Sequence, residues 1–382
     1  AMVFIPTNSS LGSVGGGSNG LILTQPELNN LFSSSFIYFG SDELLNTLYL
    51  GDRSLTPITL PGPNVVLRGD EIFILSPLRT QRLYIIGDGS TTTVAADITG
   101  LSQTINDTVE VDGVRSITAT DGSIIIGNPG GQIDGNGVGG PDSLTLNASQ
   151  SITVANGIGQ NKALANLTLN AGGAIDIGGA VTLTGNLTVQ NGTTVRFRGP
   201  VTIAGNLVIN NATDIIFDGP VTVTGSVTLA KGANITFSGN VAVNGNVVIG
   251  SNAAYANVGN VTFAPNARFD FNGSASIYAN GAITFGNAVG GLGGIYLPDA
   301  LTLGSNSTIN FASNNNLGLA PFTIVQAASV TVTGNLTAGA VTMSNVAGNI
   351  IMDLTTVVAS LDITSTGDGV STFIRLGTLE VG

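Results

Sequence analysis

From Val181 onward, apolar residues recur at fixed places in a 20-residue period. Residues 181–200 read VTLTGNLTVQNGTTVRFRGP and residues 201–220 read VTIAGNLVINNATDIIFDGP. Residues 221–240 follow as VTVTGSVTLAKGANITFSGN, and residues 241–260 as VAVNGNVVIGSNAAYANVGN. Aligned, they form six apolar columns. Val181, Val201, Val221, Val241 and Val261 share the first, and Leu183, Ile203, Val223, Val243 and Phe263 the second. Leu167, Leu187, Leu207, Val227 and Val247 make the third, and Leu169, Val189, Ile209, Leu229, Ile249 and Phe269 the fourth. Ile175, Val195, Ile215 and Ile235 make the fifth, and Ile177, Phe197, Phe217 and Phe237 the sixth. The columns come in pairs two residues apart, which is the alternation of a strand and not the 3.6 period of a helix. Three short strands per period, separated by Gly- and Asn-containing corners, predict the coil of a parallel β-solenoid. A lone coil buries too few side chains to offset the entropy of ordering twenty residues, so the coils must stack.

The corners carry a second signal. Gly185, Gly205, Gly225 and Gly245 stand directly before Asn186, Asn206, Ser226 and Asn246. Glycine is read there as the residue that accepts positive φ. Asn166, Asn186, Asn206, Asn246 and Asn266 are expected to stack one coil apart as a ladder of side-chain amides. Phe197, Phe217 and Phe237 are expected to stack in the interior.

The same grammar loosens after Gly281 but continues through LTLGSNSTINF (301–311), FTIVQAASVTVTGNLTAGAVTM (322–343) and LDITSTGDG (361–369). Residues 143–382 therefore read as a parallel β-helix stalk. Residues 21–142 read as an irregular β-rich region, either a less regular solenoid or a small subdomain. Strand-like runs lie at 36–39, 65–68, 72–75, 83–86 and 123–126, and short helix-like pieces at 26–31 and 42–48. Residues 1–20 are Ser/Gly-rich and are expected to form a flexible tail. Ala1-Met2 has the look of a cloning remnant, and no basic n-region follows it, so the chain reads as a piece of something larger.

Composition narrows the chemistry. Cys, His and Trp are absent, which removes disulfides, thiol nucleophiles, His-based triads and zinc fingers. Metal binding is left to hard ions on oxygen ligands. Charged residues are only 9% of the chain, and the net charge of −12 comes with just two lysines, Lys162 and Lys231, so nucleic acid is not expected as a partner. No apolar run approaches a membrane span, so membrane insertion is not expected either. Residues 1–142 hold 14 of the 23 acids, which makes that part the place to look for a specific site.

Several candidates arise. Gly137-Val138-Gly139-Gly140-Pro141-Asp142-Ser143-Leu144 resembles one imperfect copy of a calcium-binding glycine/aspartate nonapeptide, with Asp134 nearby. Asp107, Glu110 and Asp112 form a second acidic cluster. Asp134, Asp142, Asp107 and Asp112 are thus calcium candidates, against the simpler readings of a Gly-rich turn and a solvated loop; no other cofactor is expected. Arg198 and Asp218 hold equivalent positions on successive coils and are expected to form at most an exposed pair. Thr182-Leu183-Thr184 and Thr222-Val223-Thr224 suggest the threonine rows of ice-binding solenoids, but Thr202-Ile203-Ala204 and Ala242-Val243-Asn244 interrupt them. Asp214 and Asp218 share a strand face at about 13 Å, too far apart for paired glycosidase carboxylates. Catalysis is not expected.

Two segments carry a family resemblance. GLILTQPELNNLFSSSFIYFGSDELLNTLYLG, residues 20–51, resembles a module of large bacterial filamentous-haemagglutinin-like adhesins, in which a strand leads into an ELxxL-type piece and then a xIxIG strand. SITVANGIGQNKALANLTLNAGGAIDIGG, residues 151–179, is similar to their repeated unit. The resemblance implies an all-β fold, a right-handed parallel β-helix, in a two-partner-secretion-type exoprotein at the bacterial cell surface, with roles in adhesion, biofilm or aggregation. The family's NPNG- and NPNL-type secretion motifs are missing, so the chain resembles an internal or distal segment. The function expected is an elongated solenoid scaffold for attachment. Expected partners are a carbohydrate matrix, a host or cell surface, another copy of the protein, and an outer-membrane transporter for the full-length chain. The alternatives are a carbohydrate-active β-helix enzyme, such as a polysaccharide lyase or tailspike-like hydrolase, and an ice-binding solenoid.

Overall fold

In a computed structural model the strand alternation becomes parallel stacked coils of about 20 residues, a β-solenoid that is nearly all β. The structure describes residues 2–4, 12–14, 21–40, 47–127, 131–253, 255–290, 298–352, 356–365 and 374–381. No helix among them is long and apolar enough to cross a membrane. The chain forms two compact units, residues 1–185 with 190–193 and residues 186–189 with 194–382.

In the first unit three parallel ladders rise through successive coils. One joins Ile37–Phe39, Asn64–Arg68, the start of Arg82–Val94, the start of Ser102–Val111, Ile124–Ile126, Ile152–Val154 and Ile175–Ile177. Its inward column is Phe39, Leu67, Ile85, Ile105, Ile126, Val154 and Ile177, all sealed from solvent. A second joins Thr47–Leu50, Glu71–Ile74, the ends of the two long strands and Ile133–Gly135. The third joins Ile58–Thr59, Leu78–Arg79, Ile98–Gly100, Val114–Ala119, Ser143–Ala148 and Asn166–Ala171. Val114–Ala119 pairs residue for residue with Ser143–Ala148, so this ladder runs past position 142 without a break. The described residues between 47 and 142 are themselves solenoid, with corners of unequal length.

The extreme N-terminal part differs from a flexible tail where it is described. Met2–Phe4 pairs with Ile37–Phe39, and Gly12–Val14 pairs with both Leu21–Leu23 and Thr47–Leu50. The one α-helix among the described residues, Gln25–Asn29, starts at Thr24, whose backbone N–H donates to the Glu27 carboxylate at 2.7 Å. The second helix expected, at 42–48, falls largely outside the described residues, and Thr47–Leu50 is a strand.

In the second unit the 20-residue register holds as the columns require. Val201, Val221 and Val241 pair in sequence, as do Leu207, Val227 and Val247. The offset then grows to 26 and 28 residues. The corner 250–257, which holds the short 3-10 turn Tyr255–Asn257, is six residues longer than the corner 230–231 one coil before it, and two more residues enter between Phe263 and Phe269. These insertions correct the alignment. Val261 and Phe263 pair with Ile235 and Phe237, not with the Val241 and Val243 columns. Phe269 pairs with Val241, and Phe271 with Val243. The aromatic column is longer for it: Phe197, Phe217, Phe237, Phe263, Phe285 and Phe311 stack with ring centroids 5.2, 5.1, 4.8, 5.0 and 4.8 Å apart. All six are buried. Near-parallel rings at this spacing follow from stacking identical side chains at the strand separation of about 4.8 Å.

The corner ladder exists in a different form. Asn186 Oδ1 accepts the backbone N–H of Asn206 at 2.8 Å, and Asn206 Oδ1 accepts that of Ser226 at 2.8 Å. Ser226 Oγ accepts the N–H of Asn246 at 3.1 Å, and Asn246 Oδ1 accepts that of Ser274 at 2.9 Å. In these bonds a side-chain oxygen accepts from the main chain of the next coil, and Ser274 takes the place expected for Asn266. In the first unit the Asn166 N–H donates to Ser143 Oγ at 3.3 Å. Amide-to-amide bonds lie elsewhere on the surface. Asn191 and Asn170 donate in turn to Asn170 and Asn147, and Asn260 donates to Asn234, which donates to Asp214.

The corner glycines are needed for closeness rather than for φ. None of Gly185, Gly205, Gly225 or Gly245 has a positive φ. A Cβ on Gly225 would lie 2.4 Å from the Gly205 carbonyl oxygen and 2.5 Å from Asn206 Oδ1, the ladder atom of the coil below.

Candidate functional site

Three of the four calcium candidates are buried side chains that staple coils together. Asp107 Oδ2 accepts the Thr92 hydroxyl at 2.7 Å and Oδ1 accepts the Thr108 N–H at 2.8 Å. Asp134 takes Gln132 Nε2 at 2.6 Å, and the backbone N–H and Nδ2 of Asn161 at 3.1 Å each. Asp142 takes the N–H groups of Gly113 at 2.7 Å and Gly137 at 3.1 Å, which holds the nonapeptide-like turn against the coil below it. Asp112 faces Arg53, with Oδ2 at 3.3 Å from Nη1, and Glu110 lies 3.8 Å from Lys162 Nζ. The groups around these carboxylates present hydrogens, where a calcium ion needs oxygens. Among the described residues no three acidic side chains gather as a metal-binding group.

Asp107 carries a pH signature. Burial raises its pKa above the ordinary aspartate value, against the lowering effect of the Thr92 and Thr108 hydrogen bonds. A carboxyl whose pKa is raised by folding favours the folded state while protonated, and that contribution is lost as pH rises through the folded-state value. Asp107→Asn is therefore expected to flatten the fall in melting temperature between the ordinary aspartate pKa and the raised one. Thermal melts of both proteins across pH 3 to 7, roughly the carboxylate range, check this; parallel curves would count against it.

The other pairings are structural. Asp218 Oδ2 is bonded by Arg196 Nε at 2.6 Å, so an arginine two residues from Arg198 supplies a coil-to-coil contact that column alignment did not indicate. Asp214 accepts from Asn234, so both carboxylates of that strand face are held by neighbours. The threonine file Thr202–Thr222 continues as Ala242 and Asp270, which ends any flat row.

An indentation does occur in the first unit, at the corner between its second and third ladders. Here the corner 51–57 is long, while the next two, 75–77 and 95–97, are short and leave a floor of Leu75, Pro77, Ala95 and Ala96. Asp97, Arg115, Arg53 and Leu55 stand around it. The long corner is fixed: Asp52 Oδ1 accepts the Ser54 N–H at 3.0 Å, and the Asp52 N–H donates to Ser76 Oγ at 3.3 Å. Hydrogen bonds from Ser54 hold the Asp52 carboxyl below its ordinary pKa. Between them Arg53 takes φ of 67°, in the left-handed region that side chains larger than Asn avoid. From there it reaches Asp112, three coil steps away, or about 14 Å along the stack. Column reading missed this place because its residues lie on three different corners and at the start of the strand Val114–Ala119. The signal available was the unequal spacing between strand-like runs.

Comparison with protein families, with curated proteins and with solved structures finds no match to this chain.

Proposed function

We propose that the chain is a segment of a secreted bacterial surface adhesin, acting as a solenoid scaffold for attachment to a matrix, a host surface or another cell. The observation that carries this reading is the outward face of the coils. It is built from files of short neutral side chains, such as Thr188, Val208, Thr228 and Val248, or Thr236, Thr262 and Thr284, repeated at strand spacing. Repetition of one surface over many coils gives many weak contacts at once, and avidity then exceeds the affinity of any single contact. The acids that a polysaccharide-cleaving reading would use at Asp214 and Asp218 are held in coil-to-coil bonds.

Beads coated with the full chain test the reading on immobilised acidic and neutral polysaccharides and on bacterial cells. Retention of the beads against flow, with no release of reducing ends from the polysaccharide, is the expected outcome. Release of reducing ends without retention would contradict it and favour a β-helix enzyme.

A further inference from the structure

The groove beneath Arg53 has the makings of a ligand site. Its volume is about 240 Å³, the scale of one sugar ring rather than of a chain. The chemistry is divided by position. The floor of Leu75, Pro77, Ala95 and Ala96 is apolar, and Leu55 stands 90% exposed at the rim. Two guanidinium groups, Arg53 and Arg115, flank this floor in a protein that carries 11 basic residues and a net charge of −12. Asp97 spends one carboxylate oxygen on the Ser116 N–H at 2.7 Å, and its other oxygen has no protein partner among the described residues.

Arg115 is the informative residue. Its Nη1 donates to the Val114 carbonyl at 3.0 Å and its Nε is sealed from solvent without a partner, which leaves Nη2, with no protein partner among the described residues, as the donor that a ligand in the groove meets. A guanidinium left this incompletely paired beside a cavity calls for an anion, because an unmet donor next to a charge is costly. Arg53 is held in a strained backbone conformation by a pinned turn and arches over the same space. Strain of that kind persists where the surroundings enforce it, and it concentrates at sites that bind.

We infer that this groove binds a sugar ring that carries a carboxylate. The carboxylate meets Arg115 and Arg53, for which planar guanidinium groups are the matched partner. A ring hydroxyl donates to the free oxygen of Asp97, and the apolar face of the ring lies on Pro77 and the two alanines. This deepens the attachment reading and rests on it for the source of the sugar, an acidic polysaccharide at a surface.

Calorimetric titration of the full chain with glucuronate, glucose and acetate tests the inference. Glucuronate is expected to bind at least about tenfold more tightly than either glucose or acetate, since each of those lacks half of the recognised groups. Arg115→Gln is expected to weaken glucuronate by about tenfold or more, and Arg79→Gln, an exposed arginine on a strand next to the groove's short corner, to leave it unchanged. Arg53→Gln, on the exposed corner, provides a second variant should Arg115→Gln fold poorly, and it too is expected to weaken binding. Equal affinity for glucuronate and acetate, or unchanged glucuronate binding in Arg53→Gln and folded Arg115→Gln, would overturn the inference. If coated beads hold to surfaces while glucuronate does not bind, this inference fails and the attachment reading stands. If glucuronate binds through Arg115 but the beads do not hold, the groove assignment stands and the attachment reading fails.

Discussion

Phe217→Ala is expected to destabilise the second unit by about 3–5 kcal/mol, the usual cost of emptying a large buried aromatic site. Phe217 is fully buried between Phe197 and Phe237, with ring centroids 5.2 and 5.1 Å away. Its removal deletes both stacking contacts and leaves a ring-sized void. The coils cannot close that void, because the backbone ladders above and below hold them at the strand spacing: Phe217 is flanked in register by Phe197 on one side and Phe237 on the other. Phe217→Leu keeps most of the apolar volume and is expected to lose much less. Urea unfolding followed by circular dichroism reads the difference as a shift of the midpoint. Because a solenoid's stability is a sum over coils and their interfaces, the transition itself is also expected to broaden for Phe217→Ala. An unchanged midpoint would mean that the aromatic column packs without contributing to stability.

The interior was the most legible part of this protein. A period of two within strands and of 20 between coils places Val201, Ile203, Leu207, Ile209, Ile215 and Phe217 inward, and all six are buried. Legibility ends where the period changes. The insertion at residues 250–257 moves Val261 and Phe263 from one ladder to another, and an alignment counting in twenties cannot see it. The N-terminal coils have the same interior but corners of different lengths, so Leu67, Ile85 and Ile105 form a column that no fixed period reveals.

The reason for a conserved-looking pattern within the repeat was also hidden. Gly-Asn at the corner suggests a left-handed turn, yet the actual constraint comes from the coil below, whose carbonyl and side-chain oxygens occupy the space a Cβ at Gly225 would need. Asn206 stands out as a repeated residue, but its partner is the main chain of Ser226, which only the stack brings near. The groove was the least legible feature. Asp107, Asp134 and Asp142 attract notice in a sequence poor in charge, and the structure gives each a backbone or side-chain N–H or a hydroxyl. Arg53 and Arg115 are far apart along the chain and line one groove only because the coils stack.

The coil, not the residue, is the unit of this fold. Removing residues 221–240 takes out one whole coil of the second unit. Val241 then arrives over Val201, Val247 over Leu207 and Phe263 over Phe217, and the Asn246 N–H meets Asn206 Oδ1 in place of Ser226. Removing only residues 221–230 breaks that match and brings Ile235 to the corner position of Gly225, where a side chain has no room. Thermal melts of the two deletions, followed by far-ultraviolet circular dichroism, decide the matter. The 20-residue deletion is expected to keep the β spectrum and a cooperative melt, and the 10-residue deletion to lose part of the β spectrum and to melt lower and less cooperatively, because the coils next to the cut no longer match. Equal loss in the two proteins, or equal retention, would contradict a fold built from interchangeable coils.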